Sequence, residues 1–102
     1  MKYMISWNSI AGKGIEGLHQ FAGTDLQAME GMMKENGVHQ ECSYHRADLS
    51  GFSIVECDNL ATIATFLAPW TGTNHVEVCQ LLTQDEAHEA AKRAVNLMTE
   101  MQ

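Results

Sequence analysis

The chain has 102 residues, 45% of them hydrophobic, which is enough for one domain with one core and too few for two. Six basic residues against thirteen acidic ones give a net charge of −7, so a nucleic-acid backbone would be repelled and is not expected as a partner. The opening residues are apolar too briefly for a signal sequence, and no later run approaches the length of a membrane span. Cys42, Cys57 and Cys79 form no CxxC pair and fall in apolar runs, which is typical of reduced core thiols. We therefore expect one domain over residues 1–102, cytoplasmic and without membrane association.

The first half of the chain predicts a central strand, a helical segment and an edge strand. Residues 2–8 are apolar on both sides, with Tyr3 and Ile5 opposite Met4, as in the middle of a sheet. Helical spacing of apolar residues runs over 15–33, and Gly23-Thr24 followed by Gln27 resembles a capping box that divides the segment. Residues 38–46 alternate between a face with Val38, Cys42 and Tyr44 and a polar face with His39, Glu41, Ser43 and His45.

The second half predicts a second central strand, a short helix, a second edge strand and a last helix. Residues 51–57 are again apolar on both sides, and Asp58 or Asn59 can cap a helix that Pro69 must end. Residues 75–82 alternate like an edge strand. Thr83 and Glu86 then form a capping box before a helix whose apolar stripe is Ala87, Ala91, Ala94, Met98 and Met101.

The order strand, helix, strand, strand, helix, strand, plus a C-terminal helix, predicts an α+β fold. In the split βαβ arrangement the sheet order is 4-1-3-2, which places the two doubly apolar strands at the centre. Helices cover only one face of such a sheet, so the second apolar face needs another cover. A twofold axis requires only one self-complementary patch, and we therefore predict a homodimer.

Three stretches resemble a known family: the opening MKYMISW, the segment YHRADLSGFSIVEC over residues 44–57, and the APW at residues 68–70. They are similar to a family of small uncharacterised bacterial proteins of the dimeric α+β barrel superfamily. The resemblance implies a ferredoxin-like protomer and a barrel closed by two sheets. The wider superfamily includes cofactor-free monooxygenases, isomerases, haem-dependent enzymes and non-catalytic binding proteins, so membership alone does not select an activity.

Four residues are candidates for a site that binds a small organic ligand. His45 is a candidate general base or a donor to the following turn, and Glu56, in the apolar run SIVEC, is a candidate catalytic carboxylate or a member of a salt bridge. Trp7 and Trp70 are candidate ligand-binding walls or packing residues. We expect all four to lie near one pocket. A cofactor-free monooxygenase-like or isomerase-like enzyme and a non-catalytic ligand-binding or protein-interaction module are both compatible with this set.

Neither a metal nor a cofactor is predicted. His39 with Glu41 and His75 with Glu77 are spaced for a metal, but they lie on opposite edges of the predicted sheet. The pair Gly12 and Gly14 lacks the further glycine and the lysine of a phosphate-binding loop.

Overall fold

In a computed structural model, which describes residues 1–101, the chain forms a four-stranded antiparallel sheet and four α-helices. The strands are β1 (Lys2–Ser9), β2 (His39–His45), β3 (Gly51–Glu56) and β4 (Asn74–Leu81). The helices are α1 (Gly14–Ala22), α2 (Leu26–Glu35), α3 (Leu60–Leu67) and α4 (Gln84–Glu100), and a 3-10 turn, Ala68–Trp70, follows α3. No helix among the described residues is both long and apolar enough to cross a membrane.

The strand order across the sheet is β2-β3-β1-β4, so β1 and β3 are central and β2 and β4 are the edges. This agrees with the apolarity of the two central strands on both sides. In β1 the alternate residues Tyr3 and Ile5 are buried beneath the helices, whereas Met4 between them is half-buried on the other side. Helices α1, α2 and α3 therefore cover one face only.

The boundaries of the helices follow from local capping. The 15–36 segment is divided as predicted, but the predicted capping box at Thr24 is wrong: Asp25 caps α2 by accepting a hydrogen bond from the Ala28 amide at 3.1 Å. The Thr24 hydroxyl donates instead to the carbonyl of Gln20 in α1 at 2.7 Å. Asn59 caps α3 through the amide of Ala61, and Pro69 lies in the 3-10 turn after α3 has ended.

A β-bulge at Glu41 changes which side chains of β2 face the helices. Gln40 pairs with Val55 and Cys42 pairs with Ile54, so Glu41 is the extra residue. Val38 and Gln40 consequently lie on the same side of the sheet as Ser43 and His45. The predicted face of Val38, Cys42 and Tyr44 is wrong, because uninterrupted alternation does not allow for the bulge.

The core is concentrated at one end of the sheet. It consists of seven buried apolar residues: Tyr3, Ile5, Met33, Val38, Val55, Cys57 and Ile63. Of the three free cysteines only Cys57 belongs to this core; Cys42 is half-buried and Cys79 is exposed, which corrects the expectation of three core thiols.

The second face of the sheet, which we call the open face, has no covering element among residues 1–101. It carries Met4, Ser6, Tyr44, Phe52 and Ile54, and the rings of Tyr44 and Phe52 lie 5.9 Å apart on it. Phe52 is 37% exposed and Tyr44 is 63% exposed. An apolar surface of this kind is unusual on a monomeric protein.

Helix α4 projects from the body of the protein. The predicted capping box is confirmed: the Thr83 side chain accepts from the Glu86 amide, and the Glu86 side chain accepts from the Thr83 amide at 2.9 Å. Every residue of α4 is exposed, including Val95, Leu97 and Met98. The radius of gyration is 17.3 Å, against about 13 Å for a compact chain of 100 residues, and the difference reflects this helix.

Candidate functional site

A cavity of about 470 Å³ lies between the helices and the sheet, directly beside the core, five of whose residues are part of its lining: Ile5, Met33, Val38, Val55 and Ile63. All four strands contribute to its floor, and α1, α2 and α3 form its walls. Its apolar lining includes Ile5, Leu18, Phe21, Leu26, Met29, Val55, Phe66 and Val76, together with both tryptophans of the chain. We call this space the cavity.

Trp7 and His45 come together because they occupy the same row of the sheet. Trp7 pairs with Gly51 and Gly51 pairs with His45, so a residue without a side chain separates them. Their ring centroids are 5.3 Å apart in an edge-on arrangement. The Trp7 indole donates a hydrogen bond to the Leu49 carbonyl at 3.3 Å, which fixes the ring against the loop between β2 and β3.

The ring of His45 contacts a second aromatic side chain besides Trp7. Phe21 of α1 stacks on it with a centroid distance of 4.9 Å and an angle of 19° between the planes. The stacked contact with Phe21 and the edge-on contact with Trp7 together orient the imidazole ring. They leave its nitrogens as the groups with which it would hydrogen-bond a molecule in the cavity.

Serine hydroxyls supply the other polar group on the floor. Ser53 of β3 is buried, and its hydroxyl donates to that of Ser43 on β2 at 2.9 Å. Ser43 lies two residues before His45 on the same side of the strand, so the serine pair and the imidazole are neighbouring polar groups on the floor of a largely apolar cavity.

The side chain of Gln20 joins helix α1 to the segment after α3 by two hydrogen bonds. The Gln20 side chain donates to the Pro69 carbonyl at 2.8 Å and accepts from the Thr73 hydroxyl at 2.8 Å. Because α1 has no buried residue, these bonds and the stacking of Phe21 on His45 contribute to holding it over the sheet. The same contacts bring the end of α3 close, so that Trp70 also lines the cavity.

Glu56 lies on the other face of the sheet, so the expectation that it shares a pocket with the other three candidates is wrong. It pairs with Lys2, and its carboxylate lies 3.5 Å from the amino group of Met1. The hairpin register explains the outcome: His45 is opposite Gly51, and Glu56, five residues further along β3, must face the other way. The structure therefore groups Trp7, His45 and Trp70 and excludes Glu56.

Sequence reasoning missed Phe21, Ser43 with Ser53, and two carboxylates of the lining, Glu30 and Asp48. Phe21 carried a usable signal, because it follows Leu18 by three residues on the helical stripe. Ser43 also carried a signal, because alternation puts it on the same polar face as the candidate His45. Ser53, Glu30 and Asp48 carried none, since their place in the lining depends on how β3, α2 and the loop between β2 and β3 lie around the cavity.

The fold and the cavity define a small α+β protein with a four-stranded antiparallel sheet and helices on one face. The chain belongs to the family described as Domain of unknown function (DUF3303), whose family model matches residues 1–95. No curated protein and no solved structure matches the chain.

Proposed function

We propose that this protein binds a small organic ligand in the cavity. The observation that carries the proposal is the cavity itself, whose volume of about 470 Å³ falls within the range of small-molecule sites. Its lining has the usual composition of such sites, mostly apolar and aromatic side chains with a few polar groups that converge at one place. Trp7 and Trp70 serve as aromatic walls, and His45 with Ser43 serves as the hydrogen-bonding end.

Ligand binding is tested by thermal shift and tryptophan fluorescence with a library of metabolites. Because both tryptophans line the cavity, a ligand there should change the intrinsic fluorescence saturably. A ligand at a hundred times its Kd should stabilise the protein by about 2.7 kcal/mol and raise the Tm by roughly 10 °C or more. Variants Trp7→Phe and Trp70→Phe should each remove part of the fluorescence change. A library that leaves both signals unchanged would contradict the proposal.

A second candidate function, an enzyme of the cofactor-free monooxygenase-like or isomerase-like kind, is favoured by the position of His45. An imidazole that lines a largely apolar cavity beside aromatic walls is placed to take a proton from a bound C–H or O–H group. Glu56 has no part in this role, because it is on the open side. If the protein is an enzyme, His45→Gln should retain ligand binding and lose turnover. Equal turnover by parent and variant would overturn the role of His45, and absence of turnover by the parent would leave the non-catalytic binding module as the function.

We further propose that the protein is a homodimer in which two open faces meet, as in a dimeric α+β barrel of ferredoxin-like protomers. Read from β4, the strand order is 4-1-3-2, which supports this assignment. The uncovered Met4, Phe52 and Ile54 and the wholly exposed α4 supply apolar surface for a second copy.

Light scattering should give the mass of a dimer, and Phe52→Asp should give a monomer. Leu60→Asp is the control, because Leu60 is 51% exposed in the first turn of α3 and lies away from the open face. A parent protein that stays monomeric at all concentrations would rule out the barrel.

The proposed compartment is the cytoplasm, which is consistent with three free cysteines and no disulfide among residues 1–101. A thiol titration of protein isolated without reductant should find three thiols after denaturation. The exposed Cys79 should react first in the folded protein, and buried Cys57 last. Fewer than three thiols would contradict a reducing compartment.

A further inference from the structure

The charged side chains that line the cavity are acidic. Glu30 of α2 and Asp48 of the loop between β2 and β3 contribute carboxylates, and no lysine or arginine of the described chain is part of the lining. Arg46 is not part of the lining: it lies in a groove with Tyr44 and Phe52, although its charge is close enough to Asp48 to help lower the pKa of that carboxyl. An anionic ligand would therefore find no lysine or arginine in the lining itself and would face two carboxylates, of which Glu30 has no such basic neighbour in the lining.

Both carboxylates belong to exposed residues, and each is held in place by hydrogen bonds. The hydroxyl and the amide of Ser50 both donate to Asp48 and hold the pKa of its carboxyl below the ordinary value. Glu30 accepts a hydrogen bond from the amide nitrogen of Gln40 at 3.1 Å. A carboxylate that accepts one such bond keeps further lone pairs for a second donor, so Glu30 can still receive an N–H from a ligand.

Aromatic rings complete an environment that suits positive charge. Four of them, Trp7, Phe21, Phe66 and Trp70, line the same space. The negative faces of aromatic rings attract ammonium groups, most strongly for tryptophan, and the attraction grows where water is excluded. The two kinds of group act in the same direction, since rings and carboxylates both stabilise a cation.

We propose that the ligand of the cavity is an organic cation, an aromatic or alkyl ammonium compound, whose charge is balanced by Glu30 and Asp48 and whose apolar part lies against the tryptophans. This inference rests on the proposed ligand-binding function and adds the class of ligand. The same arrangement disfavours organic carboxylates and phosphates as ligands.

Three probes with the same ring system separate charge from shape: 1-naphthylmethylammonium, 1-naphthalenemethanol and 1-naphthoate. Their Kd values are measured by calorimetry at pH 7.5 in low and moderate salt. The ammonium compound should bind at least about threefold more tightly than the alcohol, which is the effect of one moderate cation–π or charge contact. The naphthoate should bind at least about threefold more weakly than the alcohol.

The variant Glu30→Gln should bring the Kd of the ammonium probe close to that of the alcohol and leave the alcohol unchanged. Glu35→Gln is the matched control, because Glu35 is on the same helix, changes the net charge equally and is exposed outside the cavity. The Glu35→Gln variant should leave the Kd values of all three probes within about twofold of those of the parent protein, since a distant exposed charge is screened by solvent and salt.

The outcomes separate the two proposals. Equal affinity for the ammonium compound and the alcohol would overturn the cationic ligand and leave ligand binding intact. Equal effects of Glu30→Gln and Glu35→Gln would also overturn it, because the preference would then come from the net charge of −7 and not from the cavity. Failure of all three probes and of neutral N-phenyl-1-naphthylamine to bind would overturn both proposals.

Discussion

The substitution Gly51→Ala tests the close packing of the row that holds Trp7 and His45. A Cβ atom at Gly51 would collide with the carbonyl oxygen of Tyr44, and it would lie 3.0 Å from His45 Cα and 3.0 Å from Trp7 Cζ2. The first two of these atoms belong to the backbone of β2 and cannot rotate away. The added methyl group must therefore push β2 and β3 apart or displace the indole.

The expected loss of stability is large for a single methyl group. Overpacking of a filled site costs roughly 1–3 kcal/mol, and a collision with backbone belongs at the upper end, about 2–3 kcal/mol. For a chain of this size that corresponds to a fall in Tm of roughly 10–20 °C. Displacement of Trp7 should also weaken any ligand that uses this wall of the cavity.

Urea denaturation followed by circular dichroism measures the effect. Gly31→Ala provides the control, because a Cβ there meets nothing within 4 Å and Gly31 lies within α2. That variant should be more stable than the parent by roughly 0.5–1 kcal/mol, since alanine is the better helix former. If Gly51→Ala instead unfolds at the urea concentration of the parent, the row is not packed as described and the placement of His45 beside Trp7 is wrong.

Three further predictions concern the core and the helix ends. Ile63 is 1% exposed, so Ile63→Ala should cost roughly 2–5 kcal/mol in urea denaturation, whereas Leu60→Ala on the exposed side of the same helix should stay within about 0.5 kcal/mol. Asn59→Ala removes the cap of α3 and should cost about 1 kcal/mol; an unchanged midpoint would show that the cap contributes nothing. Hydrogen bonds from the amide and the hydroxyl of Thr83 hold the pKa of Glu86 below its ordinary value of 4.5. A lowered pKa stabilises α4 above that ordinary value, and the benefit is lost as pH falls through the folded pKa, so helical dichroism should decline there in the parent and decline less in Glu86→Gln. Identical acid profiles would refute the role of the capping box.

The parts of the fold that the sequence predicted are those with local causes. The apolarity of residues 3–7 and 52–57 on both sides identifies the central strands, because only a strand in the middle of a sheet needs both sides apolar. Capping at Thr83 and the division near Gly23 were also predictable, since each depends on a few consecutive residues.

The candidate site depended on geometry that no local pattern contains. Trp7 and His45 are neighbours because the five residues between β2 and β3 place His45 opposite Gly51, and a shift of one residue in this register would turn His45 to the open face. Trp70 reaches the cavity through the path of α3 and the hydrogen bonds of Gln20, which join residues far apart in sequence. In the sequence Glu30 looks like any other polar residue of a helix. Only the position of α2 against β2 places it in the lining.

The bulge at Glu41 interrupts the alternation of side chains along β2, so the residues before it and the residues after it can each place their own side chains on the helical side of the sheet. The first half anchors the strand through Val38, which is 2% exposed, and the second half presents Ser43 and His45 to the cavity. Substitutions in the second half can alter the chemistry of the cavity without turning the anchor out of the core. Deletion of Glu41 would remove the extra residue and leave a regular strand with Val38 and His45 both on the helical side, whereas a ladder that paired Glu41 as an ordinary residue would turn one of the two to the open face.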